Sequence, residues 1–213
     1  MRARAWLGVT ASFAAVNFYA VAHAPERGGD TVYSYDIFVS AVIVYGLLLA
    51  FVYAVTSGLP RRELLALRAP DSWGGALGMW FGGLLAIFAG AYFLLWLAGA
   101  GDEQNLAPDG WDGSRAGAYA ASFLAIVLIG PFVEELLYRG VGVGLLQAYG
   151  RPAAIGVTAL MFGLGHGLLL SLGAFIWFGL VTAAIRLRSD SLYPSLAVHV
   201  TFNAVGMIAP LLF

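Results

Sequence analysis

The chain contains no cysteine and no lysine, and only 11% of its 213 residues are charged, against about 25% in an ordinary soluble domain. Without cysteine there can be no disulfide, no thiolate metal site and no thiol nucleophile. Any ligand or catalyst must then be His, Glu, Asp, Asn, Ser or Tyr. Histidine is scarce as well, occurring only as His23, His166 and His199. The net charge is −1, which gives no electrostatic reason to expect a nucleic-acid partner.

What is present is apolar: 61% of residues are hydrophobic, 28 are glycine, and the mean hydropathy is +0.83. Spanning a bilayer takes about 20 apolar residues, and the chain offers a series of such windows with short polar turns between them. They run over Ala5–Ala24, Ile37–Ser57, Gly74–Ala100, Ala116–Tyr149, Pro152–Leu170, Leu172–Leu187 and Pro194–Leu212. The fourth is too long for one crossing and can kink at Gly130-Pro131 or at Gly140. The expected fold is therefore all-α: a polytopic transmembrane bundle of about seven helices, or eight if the fourth breaks. No long polar linker interrupts it, so residues 1–213 read as a single integral membrane domain. The first window exceeds a signal-peptide core and lacks a small-residue cleavage site before Pro25, so it reads as an uncleaved helix. In the third, Gly74, Gly75, Gly78, Gly82 and Gly83 suit close packing on a neighbouring helix.

Arginine placement predicts orientation. Arg2, Arg4, Arg61, Arg62, Arg68, Arg186 and Arg188 fall at alternate loops, whereas Gly101–Gly113 holds Asp102, Glu103, Asp109 and Asp112 with no arginine. The expected topology puts the N-terminus in the cytoplasm, and the Ala-, Gly- and Arg-rich usage suggests a bacterial cytoplasmic membrane.

One stretch breaks the apolar pattern: G-P-F-V-E-E-L-L-Y-R-G-V-G, Gly130–Gly142. A charged side chain in hydrocarbon costs at least roughly 2.5–3.5 kcal/mol on insertion scales, so such groups face a protein interior or wet cavity and mark function. Glu135 and Arg139 are four apart and share a helix face, while Glu134 projects about a quarter turn away. That spacing pairs Glu135 with Arg139 and leaves Glu134 available; the alternative is an ion network that merely ties helices together. Two further pairs follow at the same spacing, Phe162 with His166 and His199 with Asn203. Singly, each reads equally as packing or interhelical hydrogen bonding. Together, a glutamate, two histidines and an amide make a hydrolytic set: a base for water, an orienting group and donors for an oxyanion.

The ordered trio E-E-x-x-x-R, F-x-x-x-H and H-x-x-x-N, from about Ala116 to the C-terminus, resembles the CPBP family of type II CAAX prenyl endopeptidases, bacteriocin-processing proteins and related intramembrane proteases. The resemblance implies a peptide hydrolase whose catalytic core lies at about 116–213. It implies Glu134 as general base, His166 as the group that binds and activates water, and His199 with Asn203 as oxyanion donors. Glu135, Arg139 and Phe162 would support them. It also implies a site opening toward the cytoplasm and the bilayer. Family members resemble proteins long labelled metalloproteases, and a zinc ion would use Glu134, His166 and His199; there is no H-E-x-x-H and each ligand would come from a different helix, and the resemblance implies a metal-free glutamate mechanism with no cofactor, zinc being the alternative. The implied partners are the lipid bilayer and a membrane-associated protein or peptide substrate. Two other classes fit the composition: a non-catalytic immunity or scaffold protein, and a proton-coupled transporter using Glu134 and His166. The second lacks the internal repeat that many transporters show. His23 belongs to none of the three motifs, and the first three helices carry no family signature.

Overall fold

A computed structural model describes residues 1–23, 29–100, 108 and 110–212. The chain is all-α, 84% helical and without strands among the described residues. Seven helices carry the architecture: α1 Arg2–His23, α2 Tyr35–Val55, α3 Trp73–Ala98, α4 Gly113–Tyr149, α5 Arg151–Gly165, α6 Leu172–Ser189 and α7 Tyr193–Leu211. Six are long and apolar enough to cross a membrane, which makes this an integral membrane protein. The calls at Asp102, Glu103 and Asp109 lie outside the described residues.

Starts and stops follow local chemistry. Ser34 and Ser72 cap α2 and α3, accepting from the Asp36 and Gly75 N–H groups, which satisfies donors that a helix start leaves free. Asp112 does the same for the first turn of α4 through Ser114 N–H. Gly99, at φ +63°, ends α3 in the left-handed conformation that glycine adopts without steric cost.

The bundle has two chemically distinct ends. At one, Arg2 donates to Ser57 O (2.7 Å), Arg61 lies over the Tyr53 ring, and Asp190 pairs with both Arg68 and Arg186. At the other, Asp112 pairs with Arg115 (2.6 Å) and Tyr119 donates to Met207 O (2.8 Å). Between them, α2 and α3 present exposed apolar side chains such as Ile43, Leu47, Phe81 and Leu85, a surface suited to lipid. Glycine packing on α3 departs from the expectation: Gly83 meets Ile185, but Gly78 and Gly82 face open space.

α4 does not break into two helices. It runs unbroken for 37 residues and absorbs its irregularity as two π-helical stretches, Leu124–Ile129 and Glu135–Gly142. The first is tied to Pro131. Proline has no N–H, so in an i→i+5 ladder the carbonyl left without a donor is that of Ile126. Asn203 Nδ2 on α7 donates to that oxygen at 2.8 Å.

α5 also differs from its expected length, stopping at Gly165 rather than Leu170. Fifteen residues reach only about 22 Å, short of a hydrocarbon core of about 30 Å, so its C-terminal end lies inside the bundle. A helix end in such a place needs partners for its last carbonyls. Asn17 of α1 supplies one, its Nδ2 donating to Gly165 O at 2.5 Å. Gly167, at φ +69°, then turns the chain, and a Cβ there would lie 2.6 Å from the Asn17 backbone. The glycines around His166 thus admit another backbone, that of α1.

Candidate active site

The two adjacent glutamates face different surroundings. Glu135 is fully buried: its Oε1 lies 3.3 Å from an Arg139 guanidinium nitrogen and accepts from His199 Nδ1–H at 3.1 Å. Arg139 donates onward to Thr182, whose hydroxyl in turn donates to Phe178 O at 2.8 Å. The guanidinium rests on the Phe162 ring, 4.2 Å from its centroid, a cation–π contact that gains strength where water is absent. This is a buried, interlocked cluster drawn from α4, α5, α6 and α7.

Glu134 instead reaches the wall of a cavity of about 470 Å³. One of its oxygens accepts from the Tyr45 hydroxyl at 2.6 Å; the other lies 3.7 Å from His199 Nε2, beyond a direct hydrogen bond. Tyr45 arrives from α2, 89 residues upstream. Gly130 makes room for it, because a Cβ there would sit 3.0 Å from the Tyr45 oxygen. The glycine of Gly130-Pro131 therefore gives passage to a side chain rather than a kink.

His199 bridges the two regions, with Nδ1 toward Glu135 and Nε2 toward Glu134. Because a carboxylate only accepts, Nδ1 carries the proton and the free chemistry of the ring is at Nε2. His166 sits at the α5 end and donates from Nδ1 to Phe162 O at 2.8 Å, which fixes the tautomer and leaves its Nε2 a lone pair. Its ring stacks on Phe175 with centroids 3.8 Å apart, and the Phe162 edge holds the other side at 4.7 Å. Phe162 is 1% exposed and also stacks on Phe178, so it orients both His166 and Arg139.

All four residues assigned to chemistry, Glu134, His166, His199 and Asn203, line the one cavity, together with Tyr45 and Tyr138. Asn203 spends one amide N–H on Ile126 O, which leaves a second donor. His23 lies apart, exposed and stacked on Tyr19. Among the described residues, no three His, Asp or Glu side chains converge as a metal shell does.

Sequence reasoning missed Tyr45, Asn17 and Trp6, the last of which donates from its indole to Leu137 O at 2.8 Å within the second π stretch. These side chains bind α1 and α2 to α4 and α5. Trp6 also explains Gly142, where a Cβ would lie 2.6 Å from the indole. The polar residues at Asn17 and Tyr45, each isolated in an apolar run, were the available signal.

No curated protein and no solved structure matches the chain. Residues 116–205 match the family model described as type II CAAX prenyl endopeptidase Rce1-like. The match begins just inside α4 and closes two residues after Asn203, spanning all three motifs and leaving α1–α3 outside. Over that segment, the part of the molecule that holds the buried ion pair and both cavity histidines, the chain is similar to the Rce1-like type II CAAX prenyl endopeptidases.

Proposed function

We propose that the protein is an intramembrane endopeptidase that hydrolyses a peptide bond of a membrane-associated polypeptide through a glutamate-activated water. The observation that carries this reading is the placement of Glu134: a carboxylate on a cavity wall, 12% exposed, between a tyrosine hydroxyl and an imidazole. Tyr45 occupies Oε1 and leaves Oε2 for water. Glu134 takes a proton from that water, and His166 Nε2 accepts from its other hydrogen and aims it.

The water oxygen adds to the scissile carbonyl. In its protonated form His199 donates from Nε2 to the resulting oxyanion, alongside the free Asn203 N–H. Glu135, held by Arg139, fixes the His199 ring for that task. When the C–N bond breaks, the proton held by Glu134 passes to the leaving amine. No metal or cofactor enters these steps. The substrates that fit are a leader, a sorting signal or a C-terminal segment, and we place the enzyme in a bacterial cytoplasmic membrane with its arginine-rich end inside.

Comparative proteomics of new peptide termini in a deletion strain tests the reading. Complementation with the wild-type gene restores a defined set of cut membrane proteins, and Glu134→Gln does not. Restoration of those termini by Glu134→Gln protein would instead favour a non-catalytic role.

A further inference from the structure

We propose that the furrow between α1 and α2 is the path by which an extended polypeptide segment reaches Glu134, entering from the arginine-poor end of the bundle. The proposal rests on the endopeptidase reading above. The cavity is not confined to the catalytic helices: its lining climbs α1 through Phe13, Asn17 and Val21, and α2 through Ile37, Ser40 and Val44. Spacings of three and four residues place each set on one helix face, so the two stripes form opposite walls. Thr31 and Asp36 also belong to the lining, and they lie at the end opposite Arg2, Arg61 and Asp190. Ser40 and Val44 line the cavity and are exposed as well, so the furrow reaches the surface along its length.

Its dimensions and chemistry suit a strand of polypeptide. From Ile37 to Tyr45 the wall rises about 12 Å, which matches roughly four extended residues. An extended backbone at membrane depth must find hydrogen-bond partners or water, and Ser40, Asn17 and Asn203 supply polar atoms along the way. Between them the two walls are mostly apolar, with Ala20, Val21, Ile37, Ala41 and Val44. This direction differs from the cytoplasmic opening that the family resemblance implies, because the arginine-rich end contributes no residue to the lining.

The absence of native cysteine makes the test direct. Single cysteines are placed at Val44, which lines the furrow, and at its neighbour Ile43, which is exposed but not in the lining. Gly110→Cys and Arg62→Cys mark the two ends. In sealed vesicles of uniform orientation, a membrane-impermeant maleimide added from the Gly110 side labels Val44→Cys at least tenfold faster than Ile43→Cys. Added from the Arg62 side, it leaves Val44→Cys unlabelled. Equal labelling of both neighbours, or access from the Arg62 side alone, would overturn the furrow.

A photoreactive residue at position 44 in Glu134→Gln protein tests the occupant. The expected adduct is a peptide that the wild-type protein cuts within about four residues of the attachment point, the reach of the furrow. A lipid adduct alone would overturn the assignment. Labelling in the Glu134→Gln background stays unchanged, so the access path and the peptidase reading fail separately.

Discussion

Glu134 and Glu135 are neighbours in sequence, yet the first meets a cavity and a tyrosine hydroxyl while the second is sealed against arginine, imidazole and aromatic rings. Identical side chains thus meet different surroundings through a quarter turn of helix, and the proposed function makes the first the reactive group and the second its framework. The division depends on different parts of the chain. The Glu135 cluster is built wholly by α4–α7, the segment that matches the family model. The surroundings of Glu134 need α2 as well, and the cavity beyond it needs α1.

Breaking the sealed region should have the largest effect. Arg139→Met leaves Glu135 buried without its cation, and removing one partner of a buried pair costs about 3–5 kcal/mol. Thermal unfolding in detergent should show that loss, and the double variant Glu135→Gln/Arg139→Met should recover much of it. A variant as stable as wild type would mean that the pair is not a framework. On the cavity side, Tyr45→Phe removes the hydrogen bond that holds one Glu134 oxygen. It should lower kcat/KM roughly tenfold or more while leaving the melting temperature nearly unchanged, an outcome that would separate positioning of Glu134 from packing.

Weaker still is the seam between α1 and α4. Gly142→Ala drives a methyl to 2.6 Å from the Trp6 indole and 2.9 Å from Thr158, and overpacking of this kind costs about 1–3 kcal/mol. Urea or thermal unfolding in detergent should report it. The smallest effect is expected at the α4 start. Hydrogen bonding from Ser114, then Arg115, holds the Asp112 carboxyl down at about 2. A lowered folded-state value stabilises above the unfolded value of about 3.9, and that contribution fades as pH falls from there toward 2. Melting curves over this range should show a slight acid-induced loss that Asp112→Asn lacks.

Much of this was legible in the residues. The spacing of Glu135 and Arg139 predicts their pairing and the release of Glu134, and the three motifs place His166, His199 and Asn203 near one another. The early end of α5 was hard to read, because Leu168–Leu170 continues the apolar run, although Gly165 and Gly167 offered a local stop. Nor was the partner of Tyr45 legible: α2 also carries Tyr35, Ser40 and Tyr53, and nothing in the sequence singles out the hydroxyl that reaches Glu134. The i→i+5 turns of α4 escape a reading at 100° per residue, although Pro131 hinted at a disturbed ladder. Asn203 shows how one residue can satisfy two readings, since it caps the carbonyl freed by Pro131 and still lines the cavity.

The most direct test compares Glu134→Gln and Glu135→Gln side by side, measuring cleavage of a precursor found by the terminus analysis together with unfolding temperature. Loss of a general base costs about 10²–10⁴-fold in rate, so Glu134→Gln should lose activity on that scale at unchanged stability, while Glu135→Gln should lose stability first. Full cleavage by Glu134→Gln protein, or an equal loss of stability in both variants, would contradict the division of labour between the two carboxylates.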